Sequence, residues 1–146
     1  MVAYADTSFL VAAYSPEAES QKALTWIQHA SVPLLFTPLH RQELRNAIRL
    51  RVFRQQITSQ QRGVAFEEIQ SDLEEGILVH TALPWTDVLR EAEALGAGHT
   101  ETLGTRSADV LHVAAASVLR STDFLTFDAK QGNLAKAAGL KVWPSV

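Results

Sequence analysis

Cysteine is absent from the 146-residue chain. That rules out disulfides and sulfur-ligated metals, so any metal here must be held by oxygen or histidine. No apolar run approaches the roughly 20 residues a membrane span needs, and the start lacks the basic region and apolar stretch of a signal peptide. A soluble cytoplasmic protein with no membrane association is therefore expected. Glycine-rich phosphate cradles are missing too. No GxGxxG follows the first apolar run and no GxxxxGK[ST] occurs, which argues against dinucleotide and P-loop nucleotide binding. Ser8 is not in a GxSxG elbow. Internal repeats, linkers and low-complexity segments are also lacking. The excess of negative charge is small, −3, and argues against unselective nucleic-acid binding. The basic residues are unevenly spread, however, since Arg41, Arg45, Arg49, Arg51, Arg54 and Arg62 gather in one short region.

What is present suits one domain over residues 1–146, with a 47% hydrophobic content that supports a core. The chain opens on Val2-Ala3-Tyr4-Ala5-Asp6-Thr7-Ser8-Phe9-Leu10, an apolar strand that hands over to a helix at a lone carboxylate. Thr7 and Ser8 can cap that helix. Asp6 itself reads either as a cap or as an acid at the carboxyl end of a parallel strand, where open α/β sheets bind ligands. Ser15-Pro16-Glu17 has the form of a helix start, and Pro33 to Pro38 that of a second strand bracketed by prolines. Helical spacing then runs from Leu39, with Glu43 in its first turns and Arg41, Arg45 and Arg49 along one side. A helix from about Thr58 stops at Gly76, Ile77 to His80 reads as a third strand, and another helix follows Pro84 up to Gly96. Gly98 to Arg106 is polar and glycine-containing, which predicts a loop. Ser107 is expected to cap the apolar helix from Asp109 to Leu119. Phe124-Leu125-Thr126-Phe127-Asp128 repeats the opening pattern of an apolar strand ending in an acid. A helix to Ala138 and a last strand, Leu140 to Trp143, complete the alternation. The fold class expected is α/β, a three-layer sandwich with a central, mostly parallel sheet flanked by helices.

Asp6 and Asp128 end strands in this reading, Asp109 opens a buried helix, and Glu43 follows strand two, so all four acids belong at one sheet edge. Carboxylates gathered without a positive partner repel one another and lose solvation. A divalent cation relieves both penalties, and oxygen-only donors match Mg²⁺ or Mn²⁺. The helix dipole at Asp109 favours its ionised form.

Four stretches in order resemble the PIN-domain family, specifically the VapC-like ribonuclease toxins of type II toxin–antitoxin systems. They are Tyr4-Ala5-Asp6-Thr7-Ser8-Phe9-Leu10, Gln42-Glu43-Leu44, Ser107-Ala108-Asp109-Val110-Leu111-His112 and Phe124-Leu125-Thr126-Phe127-Asp128. The resemblance covers the whole chain and implies a PIN-like fold and a Mg²⁺-dependent endoribonuclease, with Mn²⁺ able to substitute. It also implies metal-assisted hydrolysis of RNA phosphodiesters, a cognate antitoxin partner and a homodimer. Asp6 and Asp109 would be direct ligands, with Glu43 and Asp128 acting through water or a second ion. Thr7, Ser8 and Thr126 would be hydroxyls that hold the carboxylates, each equally able to be a cap or a strand-end hydrogen bond. The alternative from another class is a catalytically silent PIN-fold module that binds RNA or protein.

His112, three residues after Asp109, is better read as a buried structural histidine, because hard Mg²⁺ prefers oxygen. Arg41, Arg45 and Arg49 either hold RNA phosphates or form a solvated helix face. Trp26, Trp85 and Trp143 lie in or beside apolar runs and read as core. Leu50, Val52, Phe53 and Phe66 are candidates for a partner surface.

Overall fold

Short apolar runs become strands and the longer periodic segments become helices, as the computed structural model shows for residues 1–144. In chain order the described elements are β1 (Ala3–Ala5), α1 (Thr7–Tyr14), α2 (Ser20–His29), β2 (Leu34–Phe36), α3 (Pro38–Phe53) and α4 (Ser59–Glu74). There follow β3 (Leu78–His80), α5 (Trp85–Leu103), α6 (Ser107–Val118), β4 (Asp123–Leu125), α7 (Ala129–Ala137) and β5 (Lys141–Trp143). The strand order is β3-β2-β1-β4-β5. This is the expected α/β architecture of a parallel sheet with helices between its strands.

The chain divides into two compact units, Met1–Asp6 with the segment from Ala82 onward, and Thr7–Thr81. In the first, β1 pairs in parallel with β4, placing Ala3 opposite Asp123 and Ala5 opposite Leu125, and β4 pairs in parallel with β5. Its core is formed by Tyr4, Phe124, Leu125, Leu134 and the Val113–Ala116 stretch of α6, all buried. Tyr4 and Phe124 stack with ring centroids 5.7 Å apart. The Tyr4 hydroxyl meets His112 Nδ1 at 2.8 Å, so the buried histidine has a polar partner within the core, as a structural role requires.

In the second unit, β2 pairs in parallel with β3, and Phe9, Leu34, Phe36, Leu44, Ile48, Ile69 and Leu78 are buried. Thr37 caps α3, its hydroxyl accepting from the His40 amide at 3.2 Å, and Pro38 occupies the first helical position, where its missing N–H costs nothing. Tyr14 donates to Asp72 Oδ2 at 2.5 Å. Burial first, then that hydrogen bond and the charges of Asp72 and Glu68, push the Tyr14 pKa far above its ordinary value, so the phenol stays a donor.

Several boundaries differ from the sequence expectation. Ser15-Pro16-Glu17 is a turn, and α2 begins only at Ser20. The Ser20 hydroxyl accepts from the Glu17 amide at 2.9 Å and donates to the Ser15 carbonyl at 3.1 Å, while Arg51 takes the Pro16 carbonyl at 2.8 Å. Side chains thus satisfy the backbone there in place of helical bonds. The segment expected as a loop from Gly98 is helical, and α5 continues to Leu103. Gly104, at φ 69°, ends it in the left-handed region, its amide bonded to the Thr100 carbonyl. Packing against α6 outweighs the poor helix propensity of Gly96 and Gly98. Arg106, not Ser107, is the residue before α6, and Asp128 lies three residues beyond β4 as the cap of α7. Trp85 is 43% exposed and is not core, whereas Trp26 and Trp143 are half-buried against Phe9 and Phe127.

Two glycine substitutions test the extended helix. Gly98 has open space where a Cβ would stand, so Gly98→Ala should stabilise by about 0.5–1 kcal/mol. Gly104→Ala should destabilise by about 1 kcal/mol, because φ 69° is strained for any residue with a Cβ. Urea unfolding of both variants reads the two opposite signs; a loss of stability in Gly98→Ala would contradict a helix through that position.

Candidate active site

Asp6 follows β1 directly. Its amide donates to the Leu125 carbonyl at 2.9 Å, extending the ladder by one residue, and its side chain is fully buried. A carboxylate removed from water must be hydrogen-bonded or faced by positive charge. The Thr126 hydroxyl supplies one such bond, donating to Asp6 Oδ2 at 2.5 Å. The same hydroxyl lies 3.4 Å from the Asp128 carbonyl, but it has one proton, and the far shorter contact to Asp6 claims it. As acceptor, Thr126 Oγ1 receives the Asp128 amide at 2.9 Å.

From Asp128 the connection continues through α7. Asp128 Oδ1 accepts from the Gln131 amide at 3.0 Å, a side-chain cap of the helix N-terminus. Gln131 Nε2 then donates to Asp109 Oδ1 at 2.9 Å. Asp109 is the third residue of α6, and its Oδ2 reaches back to accept from the Arg106 amide at 3.3 Å. Asp6, Thr126, Asp128, Gln131 and Asp109 are therefore joined in one hydrogen-bonded chain that connects β1, β4, α7 and α6. Asp6 is enclosed, Asp109 half-buried and Asp128 exposed. Among the described residues, neither Asp109 nor Asp128 is part of an ion pair; the pairs present, Lys22 with Glu19 and Arg90 with Asp87, are elsewhere.

In the Thr7–Thr81 unit, Glu43 lies on α3 and its Oε1 accepts from the Thr7 hydroxyl at 2.7 Å. Thr7 is the first residue of α1, and its hydroxyl is the donor to this carboxylate. Ser8 is next to it on α1, half-buried. The arginine row divides. Arg45 and Arg49 place their guanidinium carbons 4.1 Å and 4.9 Å from the centroid of the Phe66 ring on α4. Burial, followed by repulsion from Arg41 and Arg49, lowers the pKa of Arg45. Phe66 is half-buried under these side chains, whereas Phe53 is 83% exposed.

Gln131 is the residue that sequence reasoning overlooked. The available signal was the Asp128-x-x-Gln131 spacing, an acid cap with Gln three residues on. The carboxamide is buried, and Gln131 Oε1 has no hydrogen-bond partner. Among the described residues no group of three or more acids and histidines is placed to hold a metal ion together. Mg²⁺ is ordinarily held by one or two carboxylates and keeps several waters, so it does not call for such a group. Two linked carboxylates and an unused buried amide oxygen are all hard oxygen donors, and the residues present fit a Mg²⁺-type ion.

The chain matches the PIN-domain family model over residues 3–137. No curated protein sequence matches it. Among solved structures it is similar to Mycobacterium tuberculosis VapC20, a sarcin–ricin loop cleaving toxin, at 16% identity over 94% of this chain and 95% of that one, with a TM-score of 0.67. It is similar to FitAcB from Neisseria gonorrhoeae at 16% identity over 97% and 96%, TM-score 0.63. VapBC2 from Rickettsia felis, bound to a DNA fragment from their promoter, aligns at 12% identity over 97% of each chain, TM-score 0.64.

Thr126 joins two of the acids and so has a measurable weight. Thr126→Val should cost about 1–3 kcal/mol, because it strips a donor from a fully buried carboxylate. Thr126→Ser, which keeps the hydroxyl, should cost less. Chemical denaturation of the two variants side by side decides; a Thr126→Val variant as stable as the wild type, with the loss confined to Thr126→Ser, would mean that only the methyl packing matters.

Proposed function

Because the chain belongs to the PIN-domain family, we propose that it is a Mg²⁺-dependent endoribonuclease and the toxin of a toxin–antitoxin pair. The observation that carries this reading is the hydrogen-bonded chain from Asp6 through Thr126, Asp128 and Gln131 to Asp109. It holds three carboxylates in fixed orientations with no basic side chain ion-paired to Asp109 or Asp128 among the described residues, an arrangement that suits a divalent cation. Asp6 and Asp109 are assigned as ligands of Mg²⁺ or Mn²⁺. Glu43, oriented by Thr7, and Asp128 act through water or a second ion; the order of the family motifs, not a measured distance, assigns Glu43 to this site. When bound, the ion supplies a water acidified towards neutral pH and a positive charge against the phosphate oxygens.

The protein's own groups supply the rest. Thr126 fixes the Asp6 carboxylate by donating to Oδ2, Thr7 does the same for Glu43, and Ser8 offers a further hydroxyl next to Thr7 on α1. Arg41, Arg45 and Arg49 bind RNA phosphates, with Phe66 setting the direction of the last two. An antitoxin is the assigned protein partner, an assignment that the similarity to VapBC2 and FitAcB supports. Exposed Leu50 and Phe53 on α3 suit a homodimer surface. Among the described residues no helix is long and apolar enough to cross a membrane, in keeping with a cytoplasmic site of action.

Asp6→Asn or Asp109→Asn should abolish cleavage of a labelled RNA while circular dichroism stays that of the wild type. Thorough metal stripping with EDTA should do the same, with Mg²⁺ or Mn²⁺ restoring activity and raising the melting temperature. Equal cleavage in EDTA would refute the metal assignment. For the arginines, Arg41→Ala/Arg45→Ala should flatten the salt dependence of RNA binding by about 0.7–0.9 logarithmic units of slope per lost phosphate contact. An unchanged slope would return the row to a solvated helix face.

A further inference from the structure

Gln131 is only 6% exposed, a degree of burial that a glutamine rarely reaches without using its whole amide. Its backbone N–H is taken by Asp128 Oδ1 at 3.0 Å and its Nε2 by Asp109 Oδ1 at 2.9 Å. Oε1, on the same carboxamide, is buried with no partner. The amide cannot simply be turned round. Exchanging oxygen and nitrogen would set Oε1 against an oxygen of Asp109 and remove the donor that the carboxylate needs. Nε2 therefore faces Asp109, and Oε1 presents its lone pairs to whatever stands beside the pair.

Oε1 and the Asp109 carboxylate that the same carboxamide touches are both acceptors. A water between them would direct its protons at acceptors and leave its own oxygen open to a positive group, which is how a water stands in the shell of a hydrated cation. We propose that Gln131 is a positioning residue of the metal site. Nε2 locks the Asp109 carboxylate in its ligand orientation, and Oε1 accepts a hydrogen bond from a water of the hydrated divalent ion. The choice of amide follows from charge. An arginine or lysine at this position would neutralise Asp109 and compete with the ion, and an acid would repel Asp109 in the absence of metal. A glutamine donates without cancelling charge and still offers an oxygen. The inference rests on the nuclease reading for the ion itself and adds a residue that the four acidic motifs do not contain.

The experiment is Mn²⁺ titration of the full chain, followed by the loss of the free-ion electron paramagnetic resonance signal, with melting temperatures measured in EDTA and in Mn²⁺. Q131M keeps the side chain's length and loses both polar atoms. It should bind Mn²⁺ about ten- to a hundredfold more weakly than the wild type, the usual effect of removing a group that orients a metal ligand. Q131E should be less stable in EDTA, with two carboxylates facing each other, and should gain a larger Mn²⁺-induced rise in melting temperature than the wild type. A role in packing alone predicts lower melting temperatures for both variants with wild-type Mn²⁺ affinity in the folded protein, and that result overturns the proposal. If Q131M does not fold, the sign of the Q131E response to Mn²⁺ decides by itself. D109N separates the two levels of inference. Mn²⁺ binding that D109N removes and Q131M leaves intact refutes the role of Gln131 alone, whereas wild-type protein with no D109N-sensitive binding refutes the metal reading and this proposal with it.

Discussion

One hydroxyl sets the arrangement of the acids. Thr126 follows β4 and stands between a fully buried carboxylate and the amide that begins the turn into α7, donating to Asp6 and accepting from Asp128. Because a hydroxyl has a single proton, the direction of each bond is fixed once Asp6 is ionised. The position of Asp128 then follows from the bond its amide makes, and the position of Gln131 from the cap that Asp128 provides. Asp109, on a different helix, is reached last. A substitution at Thr126 therefore acts on groups that it does not touch.

Burial grades along this chain of bonds, from enclosed Asp6 through half-buried Asp109 to exposed Asp128. Carboxylates in such different surroundings suit different tasks. The enclosed one is hardest to leave uncompensated and gains most from a cation, whereas the exposed one is already solvated and can exchange partners with water at little cost. This gradient is compatible with the proposal that Asp6 and Asp109 hold an ion and Asp128 acts at one remove.

Much of the fold was legible in the sequence because short, mostly apolar strands flanked by polar turns leave few alternatives. β1, β2, β3 and β5 fall within the expected segments, β4 begins one residue before its own and ends three residues short of Asp128, and the helix expected from about Thr58 is capped by that residue. The failures share a cause. Gly96, Gly98 and the Ser15–Pro16–Glu17 segment were judged on local propensity, and tertiary partners decided otherwise, α6 in one case and the side chains of Ser20 and Arg51 in the other. At the candidate site the carboxylates were readable because acids at element ends stand out against apolar neighbours. Gln131 was not, since a glutamine in a helix rich in alanine and lysine looks like surface until its burial is known. The side-by-side placement of Arg45 and Arg49 on Phe66 was equally hidden, because it needs the packing of α4 against α3.

That arginine pair has an entropic side. A long basic side chain in solution samples many rotamers, and closing on an anion forfeits about 1.5–2 kcal/mol of that freedom. Arg45 and Arg49 have given up part of it already, since both guanidinium groups rest against one aromatic ring. Folding has thus absorbed a loss that binding would otherwise bear. An anion that met this face would encounter guanidinium groups already placed against Phe66 rather than free in solution.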